Sequence, residues 1–147
     1  MEAYVPETVL EVLGNRLQNL NYKFIQDNGY CSKANRHEII KSEIVQFGKE
    51  KGFMSIPEVN PCQAENGRRI DVVWFDEGEP RFGFEVDSSV KKKSMKKLGL
   101  MNELNDGFFC PVIVSMALRS KTIEKRKSER LRDEFSHIDA KVWEQWE

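Results

Sequence analysis

The sequence predicts a single α/β domain, a sandwich in which helices flank a mixed central sheet. Helix-like segments, with apolar residues three or four apart, alternate with short apolar runs that are typical of strands. One helical segment, 90–104, separates two strand-like runs and so permits a parallel crossover. At 147 residues the chain is long enough for one domain with its own core.

The first 35 residues are predicted to form a helix followed by an irregular segment. Pro6 suits the first turn of a helix, and residues 6–20 carry apolar side chains at helical spacing. Residues 21–35 mix aromatic residues with Asp, Asn and Gly, so we expect an irregular hairpin or loop there.

The core is predicted between residues 36 and 117. Its segments follow the order helix, three strands, helix, strand: 36–51, 53–59, 69–75, 81–87, 90–104 and 108–117. The turn at 76–80 contains Gly78 and Pro80, which predicts an antiparallel hairpin between the second and third strands. Residues 118–147 are predicted to hold a polar helix, 122–135, and then a last strand or a short amphipathic piece.

Composition favours a soluble cytoplasmic protein that does not enter a membrane. The three cysteines, Cys31, Cys62 and Cys110, fit neither a disulfide framework nor a zinc knuckle. No apolar run approaches the roughly 20 residues of a membrane span, and the N-terminus lacks the pattern of a signal peptide. The formal net charge of −1 gives no nucleic-acid signal, although lysines cluster at 91–97.

Three acidic residues are predicted to meet across the hairpin. Side chains alternate in a strand, so Asp71 shares a face with Val73 and Phe75, opposite Ile70, Val72 and Trp74. In the next strand Glu85 and Asp87 share one face. Crowded, part-buried carboxylates repel each other, and each loses hydration energy. A divalent cation or a strong basic partner must therefore compensate for their charge.

A fourth acid, Glu43, is predicted to point inward from the helix 36–51. At 100° per residue it lies about 40° from Ile39 and about 40° from Phe47, inside the apolar stripe. Hard cations such as Mg²⁺ take oxygen ligands and retain several waters. The four acids therefore predict a centre for Mg²⁺ or Mn²⁺.

Glu43 on a helix, Asp71 on a strand, and Glu85 with Asp87 on the next strand resemble the restriction-endonuclease-like nuclease superfamily of the PD-(D/E)XK type. The resemblance covers residues 36–117 and implies an αβββαβ core. It also implies that the strand acids ligate Mg²⁺ or Mn²⁺, with Glu43 ligating or assisting. The implied activity is a metal-dependent endonuclease or related phosphodiesterase that hydrolyses DNA, and a homodimer is one arrangement that the resemblance allows.

The chain departs from that signature at two positions. Ile70 stands in place of the Pro, and Asp87 stands in place of the Lys that orients or activates the attacking water in the family. A relocated lysine is an alternative. On the helix 90–104, Lys97 falls inside the apolar arc, and Lys93 lies one turn earlier on the same side. Lys97 is therefore the predicted catalytic lysine.

Other interpretations of the same residues stay open. The chain could be a catalytically inactive nucleic-acid-binding module that retains the nuclease fold, or an interaction subunit in which the acids form internal ion pairs. Glu43 could pair with a Lys or Arg at the edge of an apolar face. Asp87 could cap the following helix. His37 and His137 show no paired metal-ligand spacing and are expected to be ordinary surface or cap histidines.

Overall fold

A mixed five-stranded sheet with helices on both faces forms the described part of the chain. The computed structural model describes residues 6–28, 33–60, 69–87, 92–105, 109–115 and 135–139. The helices and strands are α1 (Pro6–Asn28), α2 (Lys33–Glu50), β1 (Met54–Val59), β2 (Ile70–Asp76), β3 (Glu79–Asp87), α3 (Lys92–Leu104), β4 (Cys110–Ser115) and β5 (Ser136–Asp139).

The sheet has the strand order β1-β2-β3-β4-β5, so each strand lies beside its neighbour in sequence. The pairs β1/β2 and β2/β3 are antiparallel. The pairs β3/β4 and β4/β5 are parallel, and α3 makes the crossover between the first of these pairs. The predicted α/β class with a mixed sheet is confirmed, and β4 lies inside the sheet between β3 and β5.

A two-residue turn closes the β2–β3 hairpin. Glu77 and Gly78 have φ angles of 52° and 81°, and paired residues Asp76 and Glu79 flank them. Positive φ at both central positions is the conformation whose twist matches antiparallel strands, and glycine adopts it without steric cost. The hairpin predicted from Gly78 and Pro80 is therefore confirmed.

The N-terminal segment differs from its prediction. Helix α1 continues to Asn28, and α2 already begins at Lys33, so most of the expected irregular segment 21–35 is helical. A helix can continue through residues that form no apolar stripe. Because the side-chain pattern changes after residue 20, the end of the first helix was predicted too early.

Two apolar clusters cover the two faces of the sheet. One joins α1 and α2 to β-strand residues such as Val72, Trp74 and Phe84, and the other joins α3 to Val73 and Ile113. The predicted alternation holds except at the start of β2.

Ile70 is the exception to that alternation. It was expected to share a face with Val72, but it packs in the α3-side cluster with Val59, its partner on β1. Glu58, beside Val59, has a φ of 57°, so the strand pair departs from regular pleating at this end.

Trp74 connects the sheet to α2. Its indole Nε1 donates a hydrogen bond of 3.2 Å to the backbone oxygen of Ile44, and its ring centroid lies 4.5 Å from that of Phe84. Gly48, one turn beyond Ile44, leaves the space that the indole fills, because a Cβ there would overlap the Trp74 ring. A glycine in the last turn of α2 is thus required by the close approach of the sheet.

The predicted helix 122–135 lies outside the described residues, apart from its last residue. A last strand or a short amphipathic piece was expected over residues 138–146; β5 covers its first two residues and starts at Ser136, and residues 140–146 lie outside the described part of the chain. None of the helices in the described ranges has the length and apolar composition needed to cross a lipid bilayer.

Two helical glycines give opposite predictions for stability. Gly48→Ala should lower the free energy of unfolding by roughly 1–3 kcal/mol, since the added methyl overlaps Trp74. Gly14→Ala places its Cβ 3.7 Å from Ile138, an ordinary contact, and should be neutral or stabilising by up to about 1 kcal/mol. Urea unfolding of both variants checks this. Equal effects would contradict the described packing of Trp74 against α2.

Candidate functional site

The carboxyl groups of Asp71 and Glu85 meet at one end of the sheet. The backbone N–H of Asp71 donates to Glu85 Oε2 at 3.0 Å, and the N–H of Val86 donates to Asp71 Oδ2 at 2.7 Å. Each carboxylate thus accepts a hydrogen bond from the neighbouring strand. Glu85 is only 2% exposed and the Asp71 side chain 15%, so the predicted convergence of these two acids is confirmed in a largely buried position.

Two basic side chains contact this acid pair, one from each face of the sheet. His37 Nε2, from α2, lies 3.4 Å from Asp71 Oδ2. Lys97, from α3, forms an ion pair with Glu85 Oε1 and donates a 3.0 Å hydrogen bond to the backbone oxygen of Arg69. The helical arithmetic that selected Lys97 over Lys93 is supported, because Lys97 does reach the strand acids and Lys93 is exposed.

Glu43 does not contact the acid pair. It forms an ion pair with Arg16 of α1, and the same guanidinium contacts Glu50 at 2.6 Å. Glu43 lies six residues after His37, so the two side chains point about 120° apart around the helix. The prediction that Glu43 shares a centre with the strand acids is not met, and the alternative of an arginine partner describes its position.

Asp87 lies two residues beyond Glu85 on the same face of β3 and turns to α3. The hydroxyl of Ser94, in the first turn of α3, donates a hydrogen bond to Asp87 Oδ2. Asp87 therefore links the end of β3 to the start of the helix that carries Lys97. Of the residues that the sequence selected, Glu85 contacts both Asp71 and Lys97, while Asp87 and Glu43 are held by other partners.

His37 is the site residue that sequence reasoning missed. It was expected to be a surface or cap histidine, yet its side chain is 29% exposed and contacts Asp71. Its position three residues before Ile40 and seven before Ile44, both fully buried, is the helical spacing of an inward face. That spacing could have indicated an inward-facing His37. It was overlooked because His37 was considered only as a metal ligand, and no second histidine lies at metal-ligand spacing.

The two carboxyl groups hold their charge unequally. Burial, followed by the negative charge and hydrogen bond of Asp71, raises the pKa of Glu85 to about 8, against the opposing effect of Lys97. Burial would also raise the pKa of Asp71, but hydrogen bonds from His37, Glu85 and the Val86 N–H outweigh it and lower that pKa. At neutral pH the pair therefore retains one proton, mainly on Glu85, and Asp71 carries the negative charge.

Asp71 and Glu85 offer oxygen donors, which hard cations prefer, and they are two in number. Within the described ranges, no group of three or more His, Cys, Asp or Glu side chains is arranged to hold a metal ion. Mg²⁺ is commonly held by one or two carboxylates, with water and substrate phosphate completing its shell. Asp71 and Glu85 supply the two adjacent oxygen donors that such a site needs, and a bound cation would replace the proton that they share.

The raised pKa of Glu85 predicts that stability falls as pH rises. The unfolded chain loses this proton near the ordinary value of 4.5, whereas the folded protein retains it to about 8. Between these values the folded state binds more protons, so the free energy of unfolding should fall by up to about 1.4 kcal/mol per pH unit. Urea unfolding at pH 5 to 8.5 measures this fall in the metal-free protein.

Glu85→Gln should remove most of that fall, because the amide does not titrate. Part of it should persist, since the pKa of His37 is also raised, first by its hydrogen bond to Asp71, and contributes with the same sign above 6.5. Glu79→Gln, at an exposed position at the start of β3, serves as the matched control and should keep the full pH dependence. Identical curves for the parent and Glu85→Gln would contradict the shared-proton pair.

A comparison with known proteins found no matching family model, no matching curated protein and no matching solved structure. What the chain does therefore has to be inferred from its own residues.

Proposed function

We propose that the chain is a metal-dependent phosphodiesterase that hydrolyses a nucleic-acid backbone, with DNA as the expected substrate. The observation that carries the proposal is the carboxyl pair Asp71 and Glu85, joined across neighbouring strands, with the ammonium of Lys97 against Glu85. The element order from α2 to β4, helix, three strands, helix, strand, adds support, since it is the core order of the nuclease superfamily that the sequence resembles.

Asp71 and Glu85 would hold Mg²⁺ or Mn²⁺. When bound, such a cation would supply Lewis-acid stabilisation of the phosphodiester and would favour ionisation of an attacking water. Asp71 is already ionised at neutral pH and is held by the Val86 N–H. Glu85 would release its proton to solvent on binding a cation, and its burial would then favour a strongly bound positive charge at the site.

Lys97 would take the role of the signature lysine. Its ammonium is held beside Glu85 both by the carboxylate and by the backbone oxygen of Arg69. Fixed positive charge beside a reacting phosphate stabilises the negative charge that develops in the transition state. Asp87, which occupies the signature position, would hold the start of α3 through Ser94 and so maintain the approach of Lys97.

The basic side chains of α3 support nucleic acid as the substrate class. Lys93 and Lys96 are exposed on the helix that also carries Lys97. Lysine contacts to phosphates supply most of the sequence-independent affinity for nucleic acids. A nucleic-acid backbone bound along α3 would lie close to Asp71 and Glu85.

A second candidate function is a catalytically inactive nucleic-acid-binding module that retains the nuclease fold. The observation in its favour is that each acid of the pair already has a cationic partner, Asp71 with His37 and Glu85 with Lys97. A buried acid pair neutralised in this way is stable without metal. Metal binding and cleavage separate the two candidates.

Metal binding is the first test. Calorimetry should show Mn²⁺ binding to the parent, and Asp71→Asn or Glu85→Gln should abolish it, because each removes an anionic oxygen donor. Asp76→Asn, at the other end of β2, is the matched control and should bind as the parent does. Glu43→Gln should also keep the affinity, since Glu43 contacts Arg16. Absence of Mn²⁺ binding in the parent would overturn the catalytic proposal.

Cleavage is the second test. With Mg²⁺ or Mn²⁺, the protein should cut at least one of plasmid, linear duplex, branched and single-stranded DNA, with RNA included for comparison. Lys97→Met should reduce the rate by about 10²–10³-fold while retaining Mn²⁺ binding, because it removes charge stabilisation and not a ligand. Lys49→Met, an exposed lysine at the end of α2, is the control and should keep the rate. Gel-shift binding without cleavage of any substrate would favour the binding module.

A further inference from the structure

The carboxylate of Asp71 is held by two groups that approach the same oxygen. The backbone N–H of Val86 donates to Oδ2 at 2.7 Å from the neighbouring strand, and His37 Nε2 lies 3.4 Å from Oδ2 on α2. One contact belongs to the sheet and the other to a helix packed on it. Together they restrict rotation of the carboxyl group about its Cβ–Cγ bond.

The imidazole of His37 has an acidic side chain near each ring nitrogen. Its other nitrogen, Nδ1, lies 3.6 Å from Glu38 Oε1, and the side chain is 29% exposed. Ile40 and Ile44, on the same side of α2, are fully buried in the core and hold this part of the helix against the sheet. His37 therefore presents Nε2 to Asp71 from a helix that is packed on the sheet.

We propose that His37 is a positioning residue for Asp71. It holds Oδ2 together with the Val86 N–H, which would leave Oδ1 as the oxygen available to a bound cation. The role assigned to the metal rests on the proposed function, whereas the clamp itself does not. His37 acts through Asp71 and is not a metal ligand.

The expected size of the effect follows from how outer-shell groups act on ligands. A carboxylate that rotates freely loses conformational entropy when it binds a cation, and a clamp removes that loss in advance. Loss of an outer-shell partner typically weakens metal binding by about 10- to 100-fold. Loss of a direct metal–imidazole bond would weaken binding in His37→Gln as well, since an amide offers a metal only a neutral carbonyl oxygen in place of the ring nitrogen.

Two amide variants distinguish the clamp from a general effect of replacing His37. Glutamine places its side-chain N–H close to the position of histidine Nε2, whereas the asparagine N–H reaches only to the position of Nδ1. His37→Gln should therefore bind Mn²⁺ within about threefold of the parent. His37→Asn and His37→Leu should bind about 10- to 100-fold more weakly.

Lys41→Gln is the control for charge. Lys41 lies one turn after His37 and pairs with Glu58, so its loss removes a nearby cation and leaves both contacts to Oδ2 in place. This variant should bind Mn²⁺ at least as tightly as the parent. Circular dichroism and urea unfolding of all variants identify any that fail to fold.

The amide proton of Val86 reports on the clamp in the absence of metal. Its bond to Asp71 Oδ2 should give a downfield chemical shift and slow hydrogen exchange in the parent, in His37→Gln and in Lys41→Gln. In His37→Asn and His37→Leu the Asp71 carboxylate should rotate more freely and weaken its hydrogen bond with the Val86 N–H. The Val86 amide signal should then shift upfield, and its exchange should be at least tenfold faster after correction for any change in global unfolding.

The outcomes separate this proposal from the proposed function. If all His37 variants bind Mn²⁺ equally, or if His37→Gln is as weak as His37→Leu, the positioning role is overturned. If the parent binds no Mn²⁺, the proposed function fails. The Val86 amide then still decides whether His37 holds Asp71, and an unchanged amide in His37→Asn overturns the clamp.

Discussion

Two carboxyl groups share one buried end of the sheet, and their charge has to be neutralised there. Asp71 and Glu85 come from adjacent strands, and the compensating side chains come from helices on opposite faces, His37 from α2 and Lys97 from α3. Each helix is thus tied to the sheet by a polar contact as well as by apolar packing. Removal of one partner alone would leave a buried charge, which costs far more than the net worth of the pair.

The unequal sharing of one proton makes this arrangement both stable and responsive. With one proton retained, the pair carries a single net negative charge, and the ammonium of Lys97 lies beside it. Above the pKa of Glu85, which is about 8, the same pair would carry a second buried negative charge, and burial makes that charge unfavourable.

Local pattern predicted the hairpin, the α3 crossover and Lys97 well, because each depends on residues close in sequence or on the phase of one helix. The turn at Glu77 and Gly78 aligned Asp71 with Glu85. Glu43 could not be placed in this way, since its direction depends on Arg16, a partner 27 positions away on another helix. The extent of α1 also escaped prediction, because its second half shows no apolar stripe.

The order of the strands in the sheet has a consequence for how the protein folds. Every strand neighbours the next one along the chain, so β2 and β3 can pair through a two-residue turn before distant segments arrive. That early hairpin already brings the acids of Asp71 and Glu85 together, while their cationic partners lie on separate helices. Docking of α2 and α3 relieves the repulsion within the hairpin, so electrostatics adds to the cooperativity of the final folding step.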